Sequence, residues 1–408
     1  RTNVDVAIYG GILAGGKASP LSSNVLTPNG WVIHGDLKVG DEICTPFNGV
    51  QKVEKLFPQG VKKIYKMYLL DGRIAEATEE HLWTFRTNKQ RDKYINSDRS
   101  DKTRWTFTET TAQLMKRLQR GERLYLPTND PIEFEQKYLP IDPYVLGVLI
   151  GDGCLTESAW RSTKKVLISN AEEDVVRMFA ECINASRVVS GRTNFNRYVY
   201  TDQASELHNI LATMGLCTYS YNKFIPHEYL FSSIEQRKEL LAGLFDTDGC
   251  VDDGSFRFTT TSERLRDDVL HLVRSLGYNA TWTKDKRAYK YTSGVCYDVF
   301  IRTSDEIFHS KKHKERYAEY LTRKGKKFRR ANCHNRIVKI EYDRMEEAQC
   351  LYINDRDHLY MIDDFVVTHN TFGSILSVAE PCLDPLFRAT FFRRTFGQLK
   401  QAGGIVDD

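Results

Sequence analysis

Residues 9–23 read YGGILAGGKASPLSS, and within them a phosphate-binding loop stops one residue short. The pattern G-x-x-x-x-G-K-[ST] is met by Gly11, Gly16 and Lys17, but Ala18 stands where a hydroxyl should reach a metal ion. Residues 5–10 (DVAIYG) read as a buried strand, the context such a loop needs. Joining Lys17 directly to Thr371 gives DVAIYGGILAGGK–TFGSILSVAEP. The motif is then complete, with a strand before it and a helical pattern after it to aim backbone N–H groups at phosphates. Residues 18–370 therefore read as an insert that interrupts a nucleotide-binding protein.

The bulk composition fits this reading. The 408 residues are 41% hydrophobic and 27% charged, a soluble, globular balance with room for two or three cores. No apolar run approaches the ~20 residues of a membrane span, and the first residues lack a signal-peptide layout. The nine cysteines are odd in number and never spaced C-x-x-C, which disfavours a disulfide framework or zinc site and suits a reducing cytoplasm. Net charge is only +4, but residues 311–330 hold ten Lys/Arg against two Glu. Such a run is either a solvated helix face or a phosphate contact.

Three textures follow one another along the insert. Residues 24–43 (NVLTPNGWVIHGDLKVGDEI) form short strands broken at 28–30, 35–36 and 40–41, and this β-rich style runs to about Pro127. The polar stretch 86–104 reads as an insertion or mobile loop. From Leu139, LPIDPYVLGVLIGDGCL is an apolar helix ended by Gly-Asp-Gly, and RKELLAGLFDTDGCV repeats the design with its Asp 96 positions later. Strand-like runs and the helical patterns AEEDVVRMFAECI and SERLRDDVLHLVRSLG follow the two copies, so a pseudo-symmetric α/β domain is expected over about 138–330. The β texture returns after Asn335 and ends at Asn370. Residues 371–400 then read as helix, turn and strand.

The two ends of the insert resemble the intein family. VLTPNGW and GDL resemble the opening block, Thr78-Glu-Glu-His81 the T-x-x-H block, and FVVTHN followed by Thr371 the closing block. Most inteins open on Cys or Ser, whereas Ala18 cannot attack a carbonyl. Cys350, with Trp83 and Thr368, resembles the signature of the class that dispenses with a first-residue nucleophile. The resemblance implies that Cys350 attacks the Lys17–Ala18 peptide, since a thiol is partly ionised and intrinsically nucleophilic. Thr78 and His81 would stabilise the oxyanion and protonate the departing amine, with Trp83 and Thr368 positioning Cys350 and the junction. Thr371 would take over the acyl group, and Asn370 would cyclise with His369 as proton shuttle. No cofactor is required for these steps. The alternative is an ordinary first-residue intein whose cysteine has been replaced at Ala18.

LGVLIGDG (146–153) and LAGLFDTDG (241–249) resemble the two motifs of LAGLIDADG homing endonucleases. Gly147, Gly151, Ala242 and Gly243 lack bulk, so two helices can pack closely and bring Asp152 and Asp248 within reach of shared metal ions. Hard carboxylate oxygens suit Mg²⁺. Cations in 187–197 and 284–290 would contact DNA phosphates, and Lys223 resembles the family lysine upstream of an I-P pair, catalytic or phosphate-contacting. A decayed nuclease keeping both aspartates as plain helix ends is the alternative.

The implied fold is a mainly β Hint-type splicing domain, a horseshoe of short strands, with an inserted α/β LAGLIDADG domain of pseudo-two-fold symmetry. The expected layout is a host fragment at 1–17, the splicing domain at 18–135 and 333–370, the endonuclease at 136–332 and a second host fragment at 371–408. The flanks resemble the ATPase start of a phage terminase large subunit, and their 55 residues are expected to be too few to hydrolyse ATP, which makes an ATPase the weakest reading. Expected partners are double-stranded DNA at the uninterrupted host gene and the flanking segments themselves. The chain is expected to act as a monomer, away from membranes, in the cytoplasm of a host cell.

Overall fold

The computed structural model describes residues 6–9, 17–95, 97, 103–104, 106–156, 164–191, 193, 195–252, 255–289, 292–324, 334–370 and 389–392. Contacts divide the chain into two units, Arg1–Asn129 with His334–Asp408, and Asp130–Cys333.

The first unit is built on two strands, Val50–Leu69 and His334–Ile353, each 20 residues long. They pair antiparallel from Ile337↔Leu69 to Ile353↔Val53, with four register shifts on the way. Each shift adds a residue to one strand, which bends and twists the ribbon instead of letting it lie flat. Leu124–Pro127, Leu82–Thr87 and Phe107–Thr110 extend the sheet beyond His334–Ile353. Ile74–Thr78 adds to Val50–Leu69, and the two-residue strand Ser19–Pro20 adds to His334–Ile353. A second sheet orders Val366–His369, Leu359–Ile362, Asn24–Thr27 and Gly30–Ile33. The inward residues of both sheets share one apolar core, including Val25, Ile43, Met67, Trp83, Phe85, Leu351, Tyr360 and Ile362.

The polar stretch expected to be a loop instead carries the helix Asn88–Ile95. Its Tyr94 is buried under the guanidinium of Arg86, 3.8 Å from the ring centroid. A buried cation over an aromatic face ties the helix down without any apolar periodicity in the sequence.

The flanks contribute one parallel pair, Val6–Tyr9 beside Ala389–Phe392. Parallel strands need a crossover of a dozen or more residues. With 18–370 removed, residues 10–17 and 371–388 would supply it. Gly11, Gly16 and Thr371 lie outside the described residues.

In the second unit the repeat is visible as two helices, Pro143–Asp152 and Ile234–Asp248. Asp142 caps the first, accepting from the Val145 N–H at 3.1 Å, and Ser233 with Gln236 forms a capping box on the second. The helices meet at glycines. A Cβ on Gly243 would sit 2.3 Å from the Tyr144 carbonyl oxygen, and one on Gly147 2.5 Å from that of Leu240. Antiparallel sheets accompany the helices: Lys165–Ser169, Asn196–Tyr200 and Arg187–Ser190 after the first, and four strands between Gly249 and Arg302 after the second. The basic run begins as the helix Lys311–Lys324, with His313 and Tyr317 buried and Lys312 paired to Glu172 at 2.6 Å. The fold class is therefore a Hint-type β unit interrupted by a LAGLIDADG-type α/β unit.

Candidate functional site

Strand register decides what faces the Lys17–Ala18 peptide. Pairs Ala348↔Pro20 and Gln349↔Ser19 carry the ladder toward the junction, so the next residue, Cys350, arrives opposite Ala18. The two sit in one small apolar cluster with Ile64 and Ala348. The Cys350 thiol donates to the Lys17 carbonyl oxygen. Across 333 positions of chain, sulfur and carbonyl are thus in contact.

Thr78 holds Ala18 through both of its backbone polar groups. Its Oγ1 accepts from the Ala18 N–H at 3.1 Å, and its own N–H donates to the Ala18 carbonyl at 2.9 Å. The hydroxyl therefore faces the leaving nitrogen and not the carbonyl oxygen. A turn closed by the His81 N–H on the Thr78 carbonyl, 3.2 Å, brings His81 to the buried side.

The His81 imidazole is fully enclosed. Its Nε2 lies 2.5 Å from Thr368 Oγ1, and the Trp83 ring packs edge-on at 5.0 Å between centroids. Among the described residues its Nδ1 has no hydrogen-bond partner. Burial, aided by the nearby His369, lowers its pKa to about 3. Trp83 and Thr368 both bear directly on His81, where the sequence reading set them on Cys350 and the junction.

At the other boundary, the hairpin Leu359–Ile362 with Val366–His369 delivers Asn370. Asn370 is buried, its N–H donating to the His358 carbonyl at 2.8 Å and its Nδ2 to the Ile353 carbonyl at 2.9 Å. Its Oδ1 finds no partner among the described residues. His369 Nδ1 lies 2.5 Å from the Asn370 carbonyl oxygen. A carbonyl oxygen can only accept, so this nitrogen carries the proton. Burial lowers the His369 pKa to about 4, so the ring is neutral near pH 7.

Several contributing residues carry no motif. His358, in the left-handed region at φ 56°, supplies the carbonyl that holds Asn370, and its ring lies tilted, 6.0 Å from that of His369. Thr111 accepts from the Trp83 indole N–H at 3.0 Å, while its backbone N–H donates to the His81 carbonyl at 2.9 Å. A threonine at the start of a helix announces neither contact.

In the second unit, Asp152 and Asp248 end their helices, each half-buried at the surface. Burial lifts the Asp152 pKa to about 7, with the charge of Asp248 adding to it, and burial lifts that of Asp248 to about 6. Asn170 Nδ2 donates to Asp152 at 2.6 Å, a partner the sequence reading missed. Lys223 is buried and donates to the carbonyls of Ile150, Gly151 and Gly153 at 2.6–3.1 Å. It caps the negative end of the first helix beside the carboxylates. No group of three or more His, Cys, Asp or Glu that could hold a metal occurs among the described residues. The candidate donors are the carboxylates of Asp152 and Asp248, hard oxygens of the type that suits a divalent cation, while the helix-end carbonyls beside them are occupied by Lys223.

A family model described as a LAGLIDADG-like domain matches residues 235–322. The replicative DNA helicase DnaB of Mycobacterium intracellulare is 30% identical over 378 residues, covering 87% of this chain and 59% of that protein. A protein of the same name from Synechocystis is 27% identical over 252 residues, covering 57% of the chain and 26% of that protein. The chain thus spans less than two thirds of either relative. Neither is named a terminase, so the terminase reading of the flanks gains no support. Among solved structures, a mesophilic variant of the homing endonuclease I-DmoI is 15% identical over 45% of this chain and 94% of its own, at a TM-score of 0.28. A variant of the gp41-1 intein is 37% identical over 18% of this chain and 56% of its own, at a TM-score of 0.16.

Proposed function

We propose that residues 18–370 excise themselves and join Lys17 to Thr371, and that their inserted unit cuts double-stranded DNA. The contact of the Cys350 thiol with the Lys17 carbonyl carries the splicing reading. Cys350 Sγ gives up its proton and bonds to the Lys17 carbonyl carbon. The bond to the Ala18 nitrogen breaks, and that nitrogen takes a proton to become a free amine. Thr78 Oγ1 holds this nitrogen. A neutral His81 can relay the proton, because its protonated form is a strong acid in so dry a site. Positioning of this kind can be worth ~7–11 kcal/mol of the barrier.

The Thr371 hydroxyl then displaces sulfur, which recovers its proton, leaving an ester. Asn370 Nδ2 closes on its own carbonyl carbon, polarised by the His369 Nδ1–H, and the bond to the Thr371 nitrogen breaks. The freed Thr371 amine takes the acyl group from its own hydroxyl, giving a Lys17–Thr371 amide. The Ala18 methyl fills an apolar cluster, which supports alanine as the working first residue. Mass spectrometry of the incubated chain should find the 55-residue ligated product, and Cys350→Ala should leave the precursor whole. Splicing by Cys350→Ala, or only after Ala18→Cys, would contradict this route.

The interrupted host is read as a P-loop ATPase, supported by the parallel pairing of Val6–Tyr9 with Ala389–Phe392. The flanks alone resemble a terminase, whereas the relatives are named replicative helicases. The DNA target is the uninterrupted host gene around the joined Lys17–Thr371 codons. Asp152 and Asp248 would hold the divalent cation, Mg²⁺ by ligand hardness. When bound, that ion supplies Lewis-acid stabilisation of phosphodiester charge and an acidified water. Asn170 orients Asp152, and Lys223 neutralises the helix-end carbonyls beside both.

A further inference from the structure

The geometry points to Arg73 as a positioning residue for the exit junction, an inference that rests on the splicing reading. The hairpin that delivers Thr368, His369 and Asn370 turns through Asp363, Asp364 and Phe365 at φ 28°, 58° and 62°. Short hairpin loops put glycine or asparagine at such angles, because a Cβ crowds the backbone there. This turn has no glycine, and a bulky aromatic at positive φ is a true outlier. Such a conformation persists only where its surroundings over-determine it.

Arg73 supplies that determination. Its Nη1 donates to the carbonyls of Asp364 and Phe365, both at 2.9 Å. Asp71 fixes the fork from behind, accepting from Nε and Nη2 at 3.0 Å, with both side chains buried. Asp363 anchors the third position, accepting from the Asn24 N–H at 2.8 Å, and Trp31 packs edge-on against Phe365 at 5.1 Å. The register that follows, Ile362↔Val366 to Leu359↔His369, sets Thr368 on His81 and His369 on the Asn370 carbonyl. A one-residue slip would turn both side chains to the opposite face. Arg73 touches no reacting atom, so its effect runs wholly through this turn.

The test pairs Arg73→Lys, which keeps the charge but loses the fork, with Asp364→Gly, which removes the strain the fork restrains. Two readouts are taken on the full chain. Amide exchange over Leu359–Ile362 and Val366–His369 is measured in a Cys350→Ala background, which needs no splicing. The rate of Asn370 cyclisation is measured with Cys350 intact, below each variant's unfolding temperature. Arg73→Lys should speed exchange in the hairpin and slow cyclisation at least about tenfold, and adding Asp364→Gly should recover most of both. If Arg73→Lys does not fold, Asp71→Asn, which only loosens the fork, takes its place. Unchanged cyclisation, or a loss that Asp364→Gly does not relieve, would overturn the assignment. Failure of the splicing reading itself would show separately, as no cleavage in the parent chain.

Discussion

Burial acts in opposite directions on the titratable residues of the two candidate sites. His81 and His369 are held neutral, with pKa values near 3 and 4 against an ordinary 6.5. The unfolded chain binds more protons than the folded one below pH 6.5, so their contribution to stability is full above that pH and drains away toward pH 3. Asp152 and Asp248 are raised instead, to about 7 and 6 from 3.8. Their protonated forms suit the folded state, so that contribution is full below pH 3.8 and is lost as pH climbs through 6 to 7. Stability of the first unit should therefore fall toward acid; in the second unit, where burial likewise lowers His271 to about 3, the carboxylates are read by difference, Asp152→Asn removing part of the stability lost as pH climbs through 6 to 7. Mg²⁺ at pH 8 should raise the unfolding temperature of the second unit, and Asp152→Asn should cancel much of that gain. A melting profile of the second unit that ignores both pH and Mg²⁺ would count against a carboxylate cation site.

At the scale of elements, glycines set how near the two repeat helices come. Gly243→Ala drives a methyl into the Tyr144 carbonyl, so the helices must part. A cost of about 2–3 kcal/mol is expected, with loss of DNA cleavage, readable by denaturation and a plasmid-nicking assay. This much was legible in the sequence, because a helix seam made of glycine leaves its pattern in consecutive residues. Ala18, Asn370 and Cys350 stand out in the sequence for a similar reason, each a residue type out of place or in a recognisable block, and the roles proposed for them rest on the contacts described above. Arg73, Thr111 and His358 do not stand out. Arg73 meets its turn 291 positions away, and only the folded register gives it a task. The polar stretch that forms the helix Asn88–Ile95 was misread because its anchor is a cation over a ring, which has no period.

At the scale of the whole molecule, the chain leaves and re-enters the splicing unit at one place. Pro127 pairs with His334 across adjacent strands, so the insertion's two ends are already joined by a ladder. Replacing 130–333 with a short Gly/Ser link should leave splicing within a few-fold of the parent by gel assay, since closing a short loop costs little. Complete loss of splicing would mean the β unit depends on its insert. The most direct measurement of the central claim is to trap the acyl group itself. In an Asn370→Ala, Thr371→Ala chain, neither transfer nor cyclisation can follow, so the Lys17 acyl group should accumulate as a thioester on Cys350. Hydroxylamine should then release residues 1–17 as a hydroxamate of defined mass, and Cys350→Ala in the same background should release none. Equal release with and without Cys350 would contradict the account.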